Sequence, residues 1–488
     1  MSAARKRSAF TARRSCSVQI AGLRTERIIA ARRGRPRLAA CTRSLYPSGV
    51  ATDRYALLPM RDLWTQRAML ARWLAVELAA LQALEELGIV PAGTMGRVRA
   101  RAKVPEERVR SLEEEIGHDL VAFLWAVEEE VGPDGRWLHY GLTSSDVKDT
   151  ALSLALVAAL DLLLAKADRL HDALWDLADR HRETPILGRT HGQWAQPTSF
   201  GLKVLVWYDE LGRVRERLAR AREGIAVGKL SGAVGTHAHF PPQAEERALA
   251  ALGLRPCPVT TQIIARDRHA EVLFALASAA SLVEKIALEV RHLSRSEVAE
   301  VAEGRPEGSS AMPHKENPIL SERLCGLARV VRASLGPALE DNALWHERDM
   351  SHSSVERVLF PQCFTLTDYL LDRAWGLVVG LRVFPERMRA RIEEARGLPF
   401  SEGLLLALVR AGIGRRQAHQ LVARLADRAR TTGRSLARLA GEEPLVRERL
   451  GEEEWHDLFD FPSVLRRVGE AFDRVRMGSY NARGDHDA

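Results

Sequence analysis

The sequence predicts an all-α protein of three helical domains around a central bundle of long helices, and three observations carry that reading. Between Leu142 and Thr184 there is neither glycine nor proline across 43 residues, and between Val259 and Glu303 none across 45. Helices in globular proteins average about three turns, so such runs point to a bundle or coiled coil. Fully helical, the second would reach about 68 Å at ~1.5 Å per residue. Within it Val272, Leu276, Ala279, Val283, Ile286, Val290 and Leu293 alternate steps of four and three, the seam of a helix packed nearly parallel to its neighbours. Strand-like alternation is almost absent, which excludes a doubly wound nucleotide-binding fold.

The first 50 residues stand apart. They hold twelve Lys and Arg against one acid, Glu26. That charge of +11, set against +7 for the whole chain, leaves −4 on the remaining 438 residues. The basic character therefore belongs to a leader, and the body gives no reason to expect a nucleic-acid partner. An Arg-, Ser- and Ala-rich segment of this kind buries too little apolar surface to offset chain entropy, so disorder is expected there. It has the composition of a transit peptide or a nucleic-acid arm. The Arg/Ala bias of the entire chain favours a third origin, translation from a start codon upstream of the true one near Val50.

The remainder divides into a helical head (51–142), a long-helix middle (143–391) and a helical tail (392–488). In the head, Asp62 to Leu87 reads as an amphipathic helix ended by Gly88 and Pro91, and Glu106 to Glu130 as another closed by VGPDG. After Pro385 come shorter helices, Arg387–Arg396, Ser401–Ala411, Arg415–Arg430 and Pro462–Arg476. The last opens with its proline in the first turn, where a missing N–H costs nothing. Five scattered cysteines without CxxC or Cys/His spacing argue against a disulfide framework or zinc site and fit a reducing cytoplasm. An apolar run of transmembrane length is not apparent, so no membrane is expected.

Four clusters of polar residues interrupt the helical pattern, where chemistry tends to sit. The longest is Gly304 to Leu324, GRPEGSSAMPHKENPILSERL. Its glycines let the backbone turn, Ser309 and Ser310 present adjacent hydroxyls, and Pro318 suits the first turn of the helix that follows. Thr143-Ser144-Ser145-Asp146 precedes the first long run. Capping the helix accounts for Ser145 or Asp146 as readily as chemistry does, while Thr143 and Ser144 lie where hydroxyls and helix-start amides make an anion site. His191, in Gly188-Arg189-Thr190-His191-Gly192, sits in a turn that opens the next helix. It competes with His118, His139 and His314 for an acid/base role. Finally, Trp345 to Arg357 places Ser353 and Arg357 four apart on one helix face. There Arg348 and Arg357 are suited to bidentate grip on carboxylate or phosphate oxygens, or to a surface ion-pair network with Glu347, Asp349 and Glu356.

Together these clusters resemble the three signature regions of the fumarase/aspartase superfamily, whose loop GSSAMPHKENP matches. Within it TDRYALLPMRDLW, His118-Asp119, GLTSSDV, GRTHGQWAQPT and HERDMSHSSVERVLFP resemble the adenylosuccinate lyase family. The resemblance covers nearly all of 51–488 and none of 1–50, and its specificity comes from the order in which the motifs occur. Glu316 and Gln193-Trp194 stand at positions that vary among members.

The resemblance implies the bundle fold of that superfamily and a β-elimination that releases fumarate from a purine nucleotide precursor. Residue by residue, Ser309 matches the base and His191 the acid that protonates the departing nitrogen. A carboxylate partner is expected for His191. Arg54 and Tyr55, with Arg323, match the phosphate grip, and His118 and Asp119 the nucleotide pocket. Thr143, Ser144, Gln262, Ser310, Lys315 and Asn317 match groups around the succinyl carboxylates, and Arg348, Ser353 and Arg357 the nucleotide side. No metal or organic cofactor is implied. A homotetramer is implied, each site drawing on three chains, so that a lone chain would be inactive. A sister lyase or a carboxymuconate cycloisomerase shares loops of the same type and is the nearest alternative; a helical scaffold using the basic leader is a more distant one.

Overall fold

The computed structural model describes residues 53–304, 307–308 and 312–478, so the basic leader and the hydroxyls Ser309 and Ser310 lie outside the described residues. In the head, α1 (Gln66–Glu86) follows a separate short turn, Met60–Leu63. The predicted single helix from Asp62 is interrupted because Thr65 caps α1, its Oγ1 accepting the Ala68 N–H at 3.2 Å. The predicted helix 106–130 is also two, α2 (Glu106–Ile116) and α3 (Asp119–Val131). Gly117 takes a φ of +72° and ends the first, and His118 caps the second, its Nδ1 accepting the Val121 N–H.

The middle holds α4 (Ser144–Arg180), the hairpin of β1 (Pro185–Thr190) and β2 (Gln193–Ser199), α5 (Phe200–Ile225), α6 (Asp267–Leu293), α7 (Ile319–Ala333) and α8 (Ser351–Val379). Ion pairs fix their directions. Arg222 pairs with Asp161 and Arg215 with Asp168, so α5 runs against α4. Lys203 pairs with Glu289 and Lys285 with Glu210, so α6 runs against α5 and along α4. Arg266 joins Asp149 to Glu356, and Lys166 reaches Asp368, so α8 also runs along α4. The starts of α4, α6 and α8 thus share one end of the bundle, and their ends share the other.

All seven seam residues of α6 are at most 3 % exposed, which fits their four–three spacing. The helix is nevertheless shorter than its glycine-free run. Before it, the Ile264 N–H is taken by the distant Asp149 at 2.9 Å and the Ile263 N–H by the local Thr261 Oγ1, partners that compete with helix. After it, Ser294 bonds back to the Val290 carbonyl at 2.6 Å, and Val301 pairs with Val383 in a two-residue ladder. At 27 residues α6 spans about 40 Å rather than 68 Å. Another expectation is corrected by α4, which is long and apolar enough to cross a membrane by length and composition. Half of its most apolar window is buried, packed on α5 and α8, as in a core helix.

The apolar core gathers into a bundle cluster on α4 to α8, a head cluster around Trp73 and Phe123, and a tail cluster around Leu408 and Leu425. The tail contains three helices the sequence reading does not anticipate, Leu436–Glu442, Pro444–Arg449 and Glu452–Leu458, and it divides the predicted 462–476 helix into Phe461–Leu465 and Val468–Gly478.

Candidate active site

At the shared start of the long helices, the chain approaches α4 through Gly141. Its φ is +76°, and a Cβ there would sit 2.5 Å from the His239 carbonyl oxygen, so glycine is required. Thr143 is the N-cap, and the Asp146 carboxylate accepts its N–H at 2.8 Å. Capping is not the only role of Asp146, which also pairs with the fully buried Lys229 and accepts the Gly232 N–H. Burial pushes its carboxyl above the ordinary range against the pull of Lys229. One turn into α4, on the face of Ser144, stands Lys148.

Lys148 reaches across to α3. Its Nζ donates to Asp119 Oδ1, while Arg357 Nη2 donates to Asp119 Oδ2 at 3.2 Å. Burial works to raise the Asp119 carboxyl, yet these two cations and the Leu120 N–H prevail and hold it below the usual carboxylate range. The break at Gly117 that divides α2 from α3 is what sets Asp119 in a first helical turn, where an anion is favoured.

Beneath this lies a buried charge cluster. Arg266 grips Asp149 in bidentate fashion, at 2.7 and 2.9 Å, and meets Glu356 at 2.9 Å. Burial opposes charge on both groups of the first pair, but mutual attraction raises the Arg266 guanidinium and lowers the Asp149 carboxyl. Burial, joined by the charge of Arg266, pushes neighbouring His269 down to about 4. His352 stands between Glu356 and Arg348, and Arg348 Nη1 donates to Gln262 Oε1 at 3.1 Å.

A cavity of about 260 Å³ opens over the cluster, lined by Trp64, Trp73 and Phe360 and by the cations Arg72, Lys148, Arg348 and Arg357, with Ser145 and Ser353. Aromatic walls beside several cations suit a flat heterocycle carrying anionic groups. Asp119 and Gln262 lie one hydrogen bond outward from this lining, and His118 stands beyond Asp119, its Nδ1 3.6 Å from that carboxylate. Lys148, Arg72, Arg266 and His352 are not among the residues singled out by sequence alone. The signal for two of them is helical spacing, since Lys148 follows Ser144 by four and His352 lies four from both Arg348 and Glu356.

Other predicted residues lie elsewhere. The ring of Tyr55 meets that of Tyr369 edge-on at 5.2 Å, and Arg323 Nη1 donates to the Tyr369 hydroxyl at 3.4 Å, so Tyr55 and Arg323 do share a neighbourhood. Arg54 is exposed beside Tyr55. Tyr369 is 16 residues beyond Ser353 on α8, about 24 Å. Lys315 is exposed, its N–H donating to the Met312 carbonyl, and Asn317 pairs with Glu307 just before α7. His139 is tied to buried Glu77, with both its N–H and its Nδ1 at 2.7 Å from the carboxylate. His314 is exposed.

His191 is at the far end. Rather than directly opening a helix, it forms with Gly192 the two-residue turn of the β1–β2 hairpin, φ being +54° and +73°. Both central residues of such a turn take positive φ, and the His191 side chain is left exposed at the tip. Arg189 anchors the hairpin to the chain after α6 through Glu300 at 2.8 and 2.9 Å. Ser144 and Arg180 end a 37-residue helix of about 55 Å. The Thr184 N–H bonds back to the His181 carbonyl, so the hairpin starts at the helix end, and its six-residue strand reaches only about 20 Å; one chain thus keeps His191 roughly 30 Å from Ser144.

Comparison with known proteins agrees with this architecture. A lyase family profile matches residues 56–333, and one for the adenylosuccinate lyase C-terminus matches 397–475. Adenylosuccinate lyase of Thermotoga maritima is 48 % identical over 425 residues, covering 86 % of this chain and 99 % of that protein. Among solved structures, fumarate lyase from Mesorhizobium sp. BNC1 superposes with a TM-score of 0.81 at 31 % identity, covering 87 % of this chain and 98 % of that one. The 3-carboxy-cis,cis-muconate lactonizing enzyme of Pseudomonas putida gives 0.79 at 28 %, with the same coverage. The chain belongs to the adenylosuccinate lyase family of the fumarase/aspartase superfamily.

Proposed function

We propose that this protein is a carbon–nitrogen lyase that eliminates fumarate from adenylosuccinate, leaving AMP, and from the succinyl-carboxamide ribotide of purine synthesis. The observation that carries the reading is the aromatic and cationic cavity at the start of α4, within a chain 48 % identical to an adenylosuccinate lyase and 28 % identical to a muconate enzyme. Arg348, Arg357, Ser353, His118 and Asp119 form the nucleotide side. Arg54, Tyr55 and Arg323 take the phosphate, and Thr143, Ser144, Gln262, Ser310, Lys315 and Asn317 surround the succinyl carboxylates.

The proton to be removed sits on carbon beside a carboxylate and is very weakly acidic. Its loss builds a dianion that must be met by cations and aligned N–H groups as it forms. Ser309 is the base, helped by Lys315. The C–N bond then breaks, its electron pair passes to the purine nitrogen, and His191 supplies the proton that nitrogen takes up. A charged imidazole is needed for that step, and the exposed tip of the hairpin leaves His191 available to a carboxylate of another chain. With His191 held so far from Ser144, the parts are united by assembly, as a homotetramer in the cytoplasm.

The test is direct. Purified protein mixed with adenylosuccinate should show the ultraviolet change of AMP formation. Turnover of carboxymuconate in its place would overturn the reading.

A further inference from the structure

We propose that His352 is a positioning residue that fixes Arg348 over the nucleotide cavity by accepting its Nε–H at Nε2, its own Nδ1–H donating to Glu356. The inference rests on the functional reading above for the identity of the ligand, and on geometry for the rest.

The proton assignment follows by elimination. His352 Nε2 lies 3.3 Å from Arg348 Nε, which always carries hydrogen. Nε2 must therefore offer its lone pair, and the ring proton of a neutral imidazole is then on Nδ1. That nitrogen lies 3.2 Å from Glu356 Oε2, an acceptor. Arg266 Nη2 also approaches Nδ1, at 3.3 Å, but has Asp149 Oδ1 at 2.9 Å and Glu356 Oε2 at 3.3 Å to donate to. His352 is 2 % exposed, so water cannot substitute for these partners.

The consequence lies at Arg348. Of its five N–H donors one goes to His352 and one to Gln262, which leaves three for a ligand in the cavity it lines. With its Nε bonded, the guanidinium plane is set before a ligand arrives, and a bidentate grip loses less freedom on binding. Doubly protonated His352 would turn an N–H against the Arg348 N–H and place a cation between two guanidinium groups. The groups facing it are Glu356 on its own helix, Asp149 on α4, Arg266 and His269 at the start of α6, Asp341, and Arg348 and Asp349 in the preceding loop. Burial works to raise the Glu356 carboxyl, but His352 and Arg266 hold it below its ordinary range, so the acceptor behind Nδ1 stays ionised.

The experiment measures AMP affinity by calorimetry and KM and kcat for adenylosuccinate at pH 8 in the wild type, His352→Gln and His352→Phe. Glutamine retains an acceptor for Arg348; phenylalanine has none. H352F should weaken AMP binding and raise KM about tenfold, with kcat within about threefold, while H352Q stays near the wild type. Wild-type affinity in H352F, or H352Q as weak as H352F, would overturn the proposal. Should H352F fail to fold, His352→Met, of similar volume and with only a weak acceptor, takes its place, and wild-type affinity in it overturns the proposal. A wild type that neither binds AMP nor cleaves adenylosuccinate overturns the functional reading, and this inference with it.

Discussion

Arg189 and Glu300 clasp each other through two hydrogen bonds, 2.9 and 2.8 Å long, although 111 residues separate them in sequence. Glu300 is wholly buried, and its backbone also accepts the Phe384 N–H. Two residues on from Arg189 comes His191; a few residues on from Glu300 comes the segment of Ser309 and Lys315. One ion pair therefore ties the hairpin carrying the proposed acid to the chain leading into the proposed base.

Weakening that tie should displace His191 without touching substrate. Glu300→Gln should lower kcat ten- to about a hundredfold with KM little changed, because small misplacement of a catalytic group falls on the chemical step. Arg189→Lys should act likewise, since a single ammonium cannot reproduce the bidentate geometry. Steady-state kinetics on both variants, with melting curves to confirm folding, checks this. An unchanged kcat would refute it.

The length of α4 carries a second expectation. His191→Ala and Ser309→Ala should each abolish turnover while leaving AMP binding largely intact. If sites are assembled from different chains, mixing the two dead variants and allowing subunit exchange restores intact sites in about one quarter of cases. Activity of the exchanged mixture is the measurement. None after verified exchange would exclude shared sites.

The third concerns Asp341, which burial and neighbouring Glu356 push up to about 6. A carboxyl raised from its unfolded value of 3.8 contributes stability below that value and loses it as pH rises through the folded value. Above pH 6 the wild type thus holds a strained carboxylate. Asp341→Asn, neutral at every pH, should melt higher than the wild type at pH 7.5 by an amount on the order of 1 kcal/mol, solvent screening limiting it. The difference should vanish near pH 4. Melting curves at both values test the sign.

Much of the fold could be read in advance because helix period and the absence of glycine and proline are local properties. The seam from Val272 to Leu293 needed only its spacing. What misled was the set of partners that stop helices, some of them distant in sequence. Asp149, more than a hundred residues away, takes the Ile264 N–H before α6 can begin, and Gly117 divides a helix that periodicity alone would run through.

The sequence by itself determined the helical class and the family, and it named candidates for the chemistry, since each depends on residue type and order. Only the tertiary structure decided which of them meet. It drew Asp119 to Lys148 and Arg357, set His352 behind Arg348, and kept His191 at the opposite end of α4 from Ser144. The reason is geometric: a helix is a rigid spacer of about 1.5 Å per residue, so contacts between distant segments follow from how these rods are aligned. That alignment depends on buried pairs such as Asp149–Arg266 and Arg189–Glu300, whose members carry no mark of each other along the chain.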